Sequence, residues 1–524
     1  MKYIYKIIFL VLISFNVFAQ QKPVLSKDQI GDIKKEGADF FKAENYREAL
    51  KRYQQLVNAE PDDVDFNYQA GVCYLKTYVD KKKSAEYLKN VLNKKDAPKD
   101  ILYYMGEALM CNMEFNEAIE SFEKYKEANG GKTNPKMLVD QHIEWCHNAL
   151  VLTRMPVDVK FENPGKTVNS VYSEFRPVCG ANDSIIYFAS ARKGNTGGII
   201  DGYGDYIYDV YLTSRTDTSW TRAKNAGTNV NTETYDEPLF VTMNGDKMLV
   251  YREGGQAEGD IYYSELKGKQ WSKIIDMGDQ VDGLPKVTGA CMTQDGKTIY
   301  FSGDTKGTKG GKDIWKISKD TSTGKWSMPE NLGGGVNTKF DEINPWLSPD
   351  QKTLFFASMG HNSMGGFDLF KTTMSDPRAG WSTAQNLGYP LNTVFDDQYI
   401  SLNGTGKTGY VSAWREDGIG ETDIYRITLT ESLISPTPVL VKMKALNASG
   451  LPAKEAVCIV TVRATGEMIG TFYVNGSTGL VNLSLPPGGY RVKLRLPKIG
   501  KADEDFDING DEPGSIKTIV YTLK

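Results

Sequence analysis

The chain has 524 residues, of which 40% are hydrophobic and 24% charged, and a formal net charge of −4. Such a length exceeds a single core and predicts about three or four domains. The near-neutral balance excludes a strong electrostatic pull toward nucleic acid or anionic lipid, and no nucleic-acid partner is expected.

The opening "MKYIYKIIFLVLISFNVFAQ" sets Lys2 and Lys6 ahead of a short apolar run, Ile7 to Val17, with "VFA" before a cut after Ala19. This is the pattern of a secretory signal peptide over 1–19. The run is short for a spanning helix and no second long apolar run follows. A periplasmic protein that does not span the membrane is therefore expected, with outer-membrane association open. The first cysteine is Cys73, well past the cut, so no lipoprotein anchor is expected. Cys73, Cys111, Cys146, Cys179, Cys291 and Cys458 are scattered without close pairs. That spacing predicts buried free thiols rather than a disulfide framework.

Residues 26–152 carry a helical repeat. Gly37, Ala49, Tyr53 and Pro61 are echoed by Gly106, Ala118 and Phe122 at the same spacings. Gly71, Tyr74 and Ala85 form a looser copy with two extra residues near "VDKKK". The pattern resembles the tetratricopeptide repeat, in which small residues let paired helices approach closely. A further helix, "PKMLVDQHIEWCHNALVLTR", is expected to cap the stack. The resemblance implies a concave groove lined by Lys34, Phe41, Lys42, Tyr68, Leu75, Lys76, Tyr103, Glu107 and Met110. Exposed aromatics with a few lysines suit an extended peptide or a partner's terminus. The alternative is that some of these side chains pack on the neighbouring domain or on the capping helix.

From 155 to 432 a second repeat takes over. "WSMPENLGGGVNTKFDE" at 326–342 returns at 381–397 as "WSTAQNLGYPLNTVFDD". Asp, a β-former and an aromatic recur as "DVY" at 209, "DIY" at 260, "DIW" at 313, "DLF" at 368 and "DIY" at 423. Each follows an apolar run such as "KTIYFSG" that reads as a buried strand. Four copies continue into a Trp (220, 271, 326, 381) and an Asn-x-Gly-x-x-(Val/Leu)-Asn tail, degenerate in the second copy as "DMGDQVD". The fifth lacks this tail, and "ENPGKTVNSVYSE" at 162–174 is a tail without a front. Five fronts with one orphan tail upstream predict a five-bladed β-propeller closed by its own first strand. With "DEINPWLSPDQKTLFFAS" and "GGFDLF", the repeats resemble the WD40-like (PD40) family that includes the propeller of TolB. Aligned on the turn that follows, Cys179, Phe240, Cys291, Trp346 and Tyr399 fall at one place in successive blades, which sets Cys179 and Cys291 two blades apart.

"SPTP" marks a linker, and 437–524 alternates strands with Gly/Asn/Pro turns as a small β-sandwich does. "GLPAKEAVCIV" and "GSTGLVNLSLPPGGYRVKL" resemble the carboxypeptidase regulatory-like domain. The order helical repeat, PD40 propeller, regulatory-like sandwich resembles periplasmic proteins associated with the type IX secretion system and related OmpA-family proteins. That resemblance implies a scaffold that takes envelope proteins through its helical groove and a propeller face. The OmpA-like domain usual in those proteins does not follow the sandwich here, so direct peptidoglycan binding is not expected.

Catalytic signals are sparse. His142 and Cys146 share a helix face in "HIEWCH", with His147 offset, but zinc needs about four convergent ligands. His361 has no Ser–His–Asp pattern around it. The recurring Asp reads as a structural acceptor for turn amides, because a catalytic residue breaks symmetry and these keep it. "DGYGDYIYD" at 201–209 lacks EF-hand spacing, and "GTKGGK" at 307–312 lacks the Walker pattern. No cofactor or metal and no catalysis are expected. The competing reading is a propeller that binds or processes a glycan or peptide, and acids with aromatics gathered on the central pocket would favour it.

Overall fold

The computed structural model describes residues 25–216, 219–253, 260–277, 287–374, 380–495, 501–508 and 516–522. The signal-peptide segment 1–19 lies outside the described residues. The chain is multidomain: an α-helical solenoid, an all-β five-bladed propeller and a small β-sandwich.

Seven α-helices come first among the described residues: α1 (Lys27–Lys42), α2 (Tyr46–Ala59), α3 (Val64–Lys76), α4 (Ser84–Lys89), α5 (Ile101–Cys111), α6 (Phe115–Ala128) and α7 (Val139–Leu152). Ser26 and Gln29 start α1 with a reciprocal capping box, and the Asn45 and Asp63 side chains cap α2 and α3. The repeated glycines mark the closest helix contacts. A Cβ on Gly71 would stand 2.6 Å from Leu88 Cγ, and one on Gly106 2.6 Å from Phe122 Cε1. A side chain at either position would force Leu88 or Phe122 to shift within the pairs α3–α4 and α5–α6.

Five antiparallel sheets follow, each with its first strand innermost. Blade 1 is Glu174–Cys179, Ile185–Ser190, Asp209–Ser214 and Lys224–Asn225; blade 3 is Val287–Met292, Thr298–Gly303, Asp313–Ser318 and Glu330–Asn331. Blade 4 is Glu342–Leu347, Thr353–Ser358, Asp368–Thr373 and Gln385–Asn386. Blade 2 runs Asp236–Val241, Lys247–Arg252, Asp260–Lys267 and Ile275–Asp276, so the degenerate copy still forms its outer strand. Blade 5 takes Ile400–Leu402, Thr408–Ala413 and Asp423–Leu429 from the end of the repeat and Val159–Glu162 from its beginning, with Val159 opposite Leu429 and Glu162 opposite Arg426. The orphan segment thus closes the ring, and its strand ends one residue before Asn163.

The repeated sentence is a hydrogen-bond circuit. In blade 3, Asn331 Nδ2 donates to Asp313 at 2.6 Å, and Asn331 Oδ1 accepts from Gly333 N and Asn337 Nδ2. Asn337 then pairs with both backbone groups of Ile314: Oδ1 accepts from its N–H at 2.8 Å and Nδ2 donates to its carbonyl at 3.0 Å. The outer strand spans two residues, and the Asn337 amide extends its ladder as a peptide group would. The same circuit joins Asn225, Asn231 and Asp209, then Asn386, Asn392 and Asp368, then Asn163, Asn169 and Asp423 across the closure. The recurring Asp also accepts loop amides, from Thr196, Met364 and Ile419 in blades 1, 4 and 5. The Trp residues glue blades together: Trp220 meets Tyr410, Trp271 meets Tyr187 and Trp381 meets Tyr300, each ring on the preceding blade.

All six cysteines are free and buried. The turn alignment needs one correction. The ladders place Val178, Phe240, Cys291, Trp346 and Ser401 in register, opposite Tyr187, Leu249, Tyr300, Phe355 and Tyr410. Cys179 therefore lies one residue beyond the shared position and Tyr399 two before it. Cys179 and Cys291 remain two blades apart.

The sandwich packs one sheet, Val439–Leu446 with Leu480–Leu485 and Ile516–Thr522, on another built from Val457–Val462, Met468–Tyr473, Gly488–Arg495 and Lys501–Ile508. It docks on the turns between first and second strands: Leu440 packs on Ala181 and Met243, Ser484 Oγ donates to Gly404 O, and Asn482 pairs with Asn244. The helical stack docks on the loops at the opposite ends of these strands. Arg47 pairs with Asp205 and Glu421, Trp145 Nε1 donates to Met359 O, and Asn148 Nδ2 donates to Ser363 O. The expected capping helix α7 is thus a docking element.

Candidate functional site: the seam between helical stack and propeller

Helices α3, α5 and α7 turn side chains toward the propeller, which covers part of that face. Lys34 and Lys42 remain exposed, Lys34 in an ion pair with Asp65 at 3.0 Å. Phe41 is half-buried, edge-on to Tyr46 and Tyr53. Lys76 is exposed, its Nζ 6.0 Å from the Tyr104 ring centre. Tyr68, Leu75, Tyr103 and Met110 are buried, 9%, 6%, 5% and 4% exposed, where exposed aromatics were expected. The reason is the company they keep: one apolar cluster holds all four with Met364 and, at its edge, Met359, Tyr389, Val394 and Phe395 of the propeller. Tyr68 spends its hydroxyl on Asp100 at 2.7 Å and Tyr103 on Glu107 at 2.9 Å. Burial, then these carboxylates, push both phenols well above their usual range.

Where the two domains meet, a cavity of about 170 Å³ remains. Leu75, Met110 and Trp145 wall it from the helices, and Val394 and Phe395 from the entry to blade 5. Its polar lining is Glu107, His142, Lys81 and Asp396. Asp396 accepts from Phe367 N and the Tyr78 hydroxyl, and Lys81 donates to Leu75 O. Glu107 Oε1 accepts from Tyr103 and lies 3.5 Å from His142 Nε2, while its buried Oε2 has no hydrogen-bond partner among the described residues. Burial raises this carboxyl, but His142, the nearby Lys76 charge and the Tyr103 hydroxyl outweigh it and hold Glu107 down at about 2. A second cavity of about 130 Å³ continues the seam between Tyr46, Lys76 and Tyr78 on one side and Tyr203, Asp205 and Glu421 on the other.

Of the nine expected groove residues, the first cavity gathers Leu75, Glu107 and Met110, and the second adds Lys76. The alternative of packing on the neighbouring domain and the capping helix describes the buried side chains among these, but the sequence did not name His142, Trp145 or the propeller residues as their partners. His142 packs against Tyr103, Phe122 and Trp145 instead of decorating a solvent face. Its spacing of three from Trp145 was the available signal for a shared buried face.

The propeller axis is a separate polar point. Arg176 Nε lies 2.8 Å from Glu237 Oε2, Arg176 Nη2 donates to Thr288 O, and the guanidinium sits 4.8 Å from the Tyr399 ring centre. Phe175 meets Tyr208 edge to face nearby, and it packs at a tilt on Tyr399 as Tyr208 does on Tyr235. Arg176 and Asn344 hold φ of 52° and 55°, left-handed conformations at the bulges of innermost strands. The acidic loop at 201–209 is wired internally: Asp201 accepts from Tyr203 N and Asp205 N, and Asp205 pairs with Arg47. The glycine loop at 307–312 is packed tight, since a Cβ on Gly311 would stand 1.9 Å from Asp341 Oδ1. Among the described residues no three His, Cys, Asp or Glu side chains gather as a metal site.

No family model matches the chain, and no curated protein matches it. Among solved structures it is similar to the first TPR of Spaghetti (RPAP3) bound to an HSP90 peptide, at 16% identity over 25% of this chain and 98% of that one, with a TM-score of 0.21. It is similar to TolB from Acinetobacter baumannii at 12% identity over 66% of this chain and 70% of that one, TM-score 0.28. The exo-β-1,3-galactanase from Phanerochaete chrysosporium with galactose matches at 10% identity over 66% and 99%, TM-score 0.31. At these scores each is a likeness of parts, and nothing those proteins bind or cleave is carried to this chain. Among the described residues, no helix is long and apolar enough to cross a membrane.

Proposed function

We propose that this protein is a non-enzymatic scaffold of the cell envelope, exported to the periplasm, that holds protein partners along the seam between its helical stack and its propeller. One observation carries the reading: the helical face and the propeller loops build a cavity between them, so a segment bound there is read by two domains at once. The domain order, read as a resemblance, supports a role alongside type IX secretion. Against catalysis stands the axial carboxylate, because Glu237 is spent on Arg176. A glycan- or peptide-processing propeller is the second reading, favoured by the aromatics and the Arg176–Glu237 pair at the axis.

Crosslinking the full-length protein in its own envelope and identifying the captured proteins tests this. The expected result is a reproducible partner set that is lost when Arg47→Ala loosens the seam, with no turnover of glycan or peptide mixtures by the purified protein. Turnover abolished by Glu237→Gln would replace the scaffold with the enzyme.

A further inference from the structure

Of the two carboxylates lining the larger cavity, Asp396 is paired from within the protein on both oxygens and Glu107 on one. Asp396 is held by Phe367 N and Tyr78, Lys81 by Leu75 O, and His142 Nδ1 by Leu138 O. Glu107 alone keeps an oxygen, Oε2, that is buried and without a hydrogen-bond partner among the described residues. The Tyr103 hydroxyl holds the other oxygen at 2.9 Å, and the Glu107 side chain lines the cavity. Lys76 acts on it through charge alone, its Nζ lying over Tyr104. A buried, ionised carboxylate oxygen is costly to leave unpaired, and the donor that suits it best is a cation. The walls leading to it, Met110, Trp145 and Phe395, are apolar and suit methylenes rather than a second charge.

We infer that this cavity takes one Lys or Arg side chain from an extended segment of a partner protein, its aliphatic stem between Met110, Trp145 and Phe395 and its cationic head on the Glu107 carboxylate. The inference rests on the scaffold reading and names the chemistry that its seam recognises. Charge complementarity selects the occupant. An acidic side chain would meet Glu107, and an apolar one would leave its oxygen unpaired. Trp145 is held by its indole N–H on Met359 O, so the slot is formed before the partner arrives. A Lys or Arg stem is long enough to cross the apolar walls while the partner's backbone stays at the seam.

The probe is a library of acetylated heptapeptides, each with one fixed residue and the remaining positions randomised, screened against the full mature protein. Enriched peptides are then resynthesised and measured by fluorescence polarisation. Lys or Arg is expected to dominate at one position, with replacement of that residue by norleucine lowering affinity about ten-fold or more. Glu107→Gln keeps the side-chain shape and an acceptor for Tyr103, and it should abolish the preference for a basic residue over norleucine. Phe395→Ala changes only the propeller wall and should weaken binding of the same peptide while the stack stays folded by circular dichroism. Enrichment of acidic or purely apolar peptides, no enrichment, or a basic preference unchanged in Glu107→Gln would overturn the inference. If crosslinked envelope partners are recovered equally by wild type and Glu107→Gln, this site fails while the scaffold reading stands. If the wild type recovers none, the scaffold reading itself fails.

Discussion

Asn337→Ala is the sharpest test of the propeller's repeated circuit. Asn337 is 2% exposed and bonds both backbone groups of the fully buried Ile314, accepting from its N–H and donating to its carbonyl where the outer strand has ended. The Ile314 carbonyl retains a bond from Leu332 N, but its N–H would lose its partner. A buried N–H left unpaired costs about 1–3 kcal/mol, and losing the bond to Asn331 with the small void brings the total to about 2–4 kcal/mol. Hydrogen exchange suits this multidomain chain better than a global melt, because it reads one blade at a time. Exchange of the Ile314 amide should rise on the order of 30- to 1,000-fold, which is that free energy converted at 25 °C. Val210, held by Asn231 in blade 1, should be unchanged. If Ile314 exchanges as in the wild type, the Asn side chains decorate the ring rather than extend its ladders.

Deleting 155–162 removes the strand opposite Asp423–Leu429, leaving blade 5 an open edge; size-exclusion chromatography should show aggregation, and a monomer with the wild-type melt would refute the closure. Alkylation should label no thiol in the native protein and six after unreduced denaturation, since all six are buried and burial pushes Cys73, Cys146 and Cys458 up to about 12; four or fewer labels would mean a bridge. Burial raises Asp236 to about 6 and Glu342 and Asp397 to about 7, so the native state keeps protons that the unfolded chain releases near 4. Their contribution is present in acid and lost as pH rises toward 7, so stability should fall across that window, and Glu342→Gln should flatten the fall by about one proton; an unchanged slope counts against it.

The fold was legible because its signals are local and repeated. A glycine offset, an Asp before a strand and an Asn tail each recur where the same contact recurs, and the missing fifth tail pointed to closure. The blade register was less legible, and the error has a physical origin. Each turn after an innermost strand needs one residue at positive φ, and the chain uses Gly245, Gly296 and Gly406 but also Asp183 and Gln351. Matching Asp183 to Asp295 is natural by residue type, yet Asp183 stands where Gly296 does, since a short polar side chain tolerates the left-handed region. In blade 5 the glycines at 404 and 406 compete for the role, and only Gly406 has positive φ, at 68°.

The site was half legible for a different reason. Periodicity along α3 and α5 reports which side chains share a face, so Leu75, Glu107 and Met110 were found together. It carries no information on what lies across from that face. Phe395 and Asp396 are about three hundred residues further along the chain and sit in a blade tail whose own pattern explains only its Asn and Asp residues. The same tail therefore serves two ends: Asn386 and Asn392 hold the ladder of blade 4 and Asp397 the turn after it, while the side chains between Thr393 and Asp397 take no part in the Asn circuit. Val394, Phe395 and Asp396 occupy that interval and face the helices. In blade 3 the matching interval is Lys339, Phe340 and Asp341; Asp341 accepts from Lys312 N as Asp396 does from Phe367 N, and what blade 4 adds is the Tyr78 hydroxyl of the helical stack on the other Asp396 oxygen. The ring's structural sentence leaves gaps of fixed length, and the chain has written its interdomain surface into one of them.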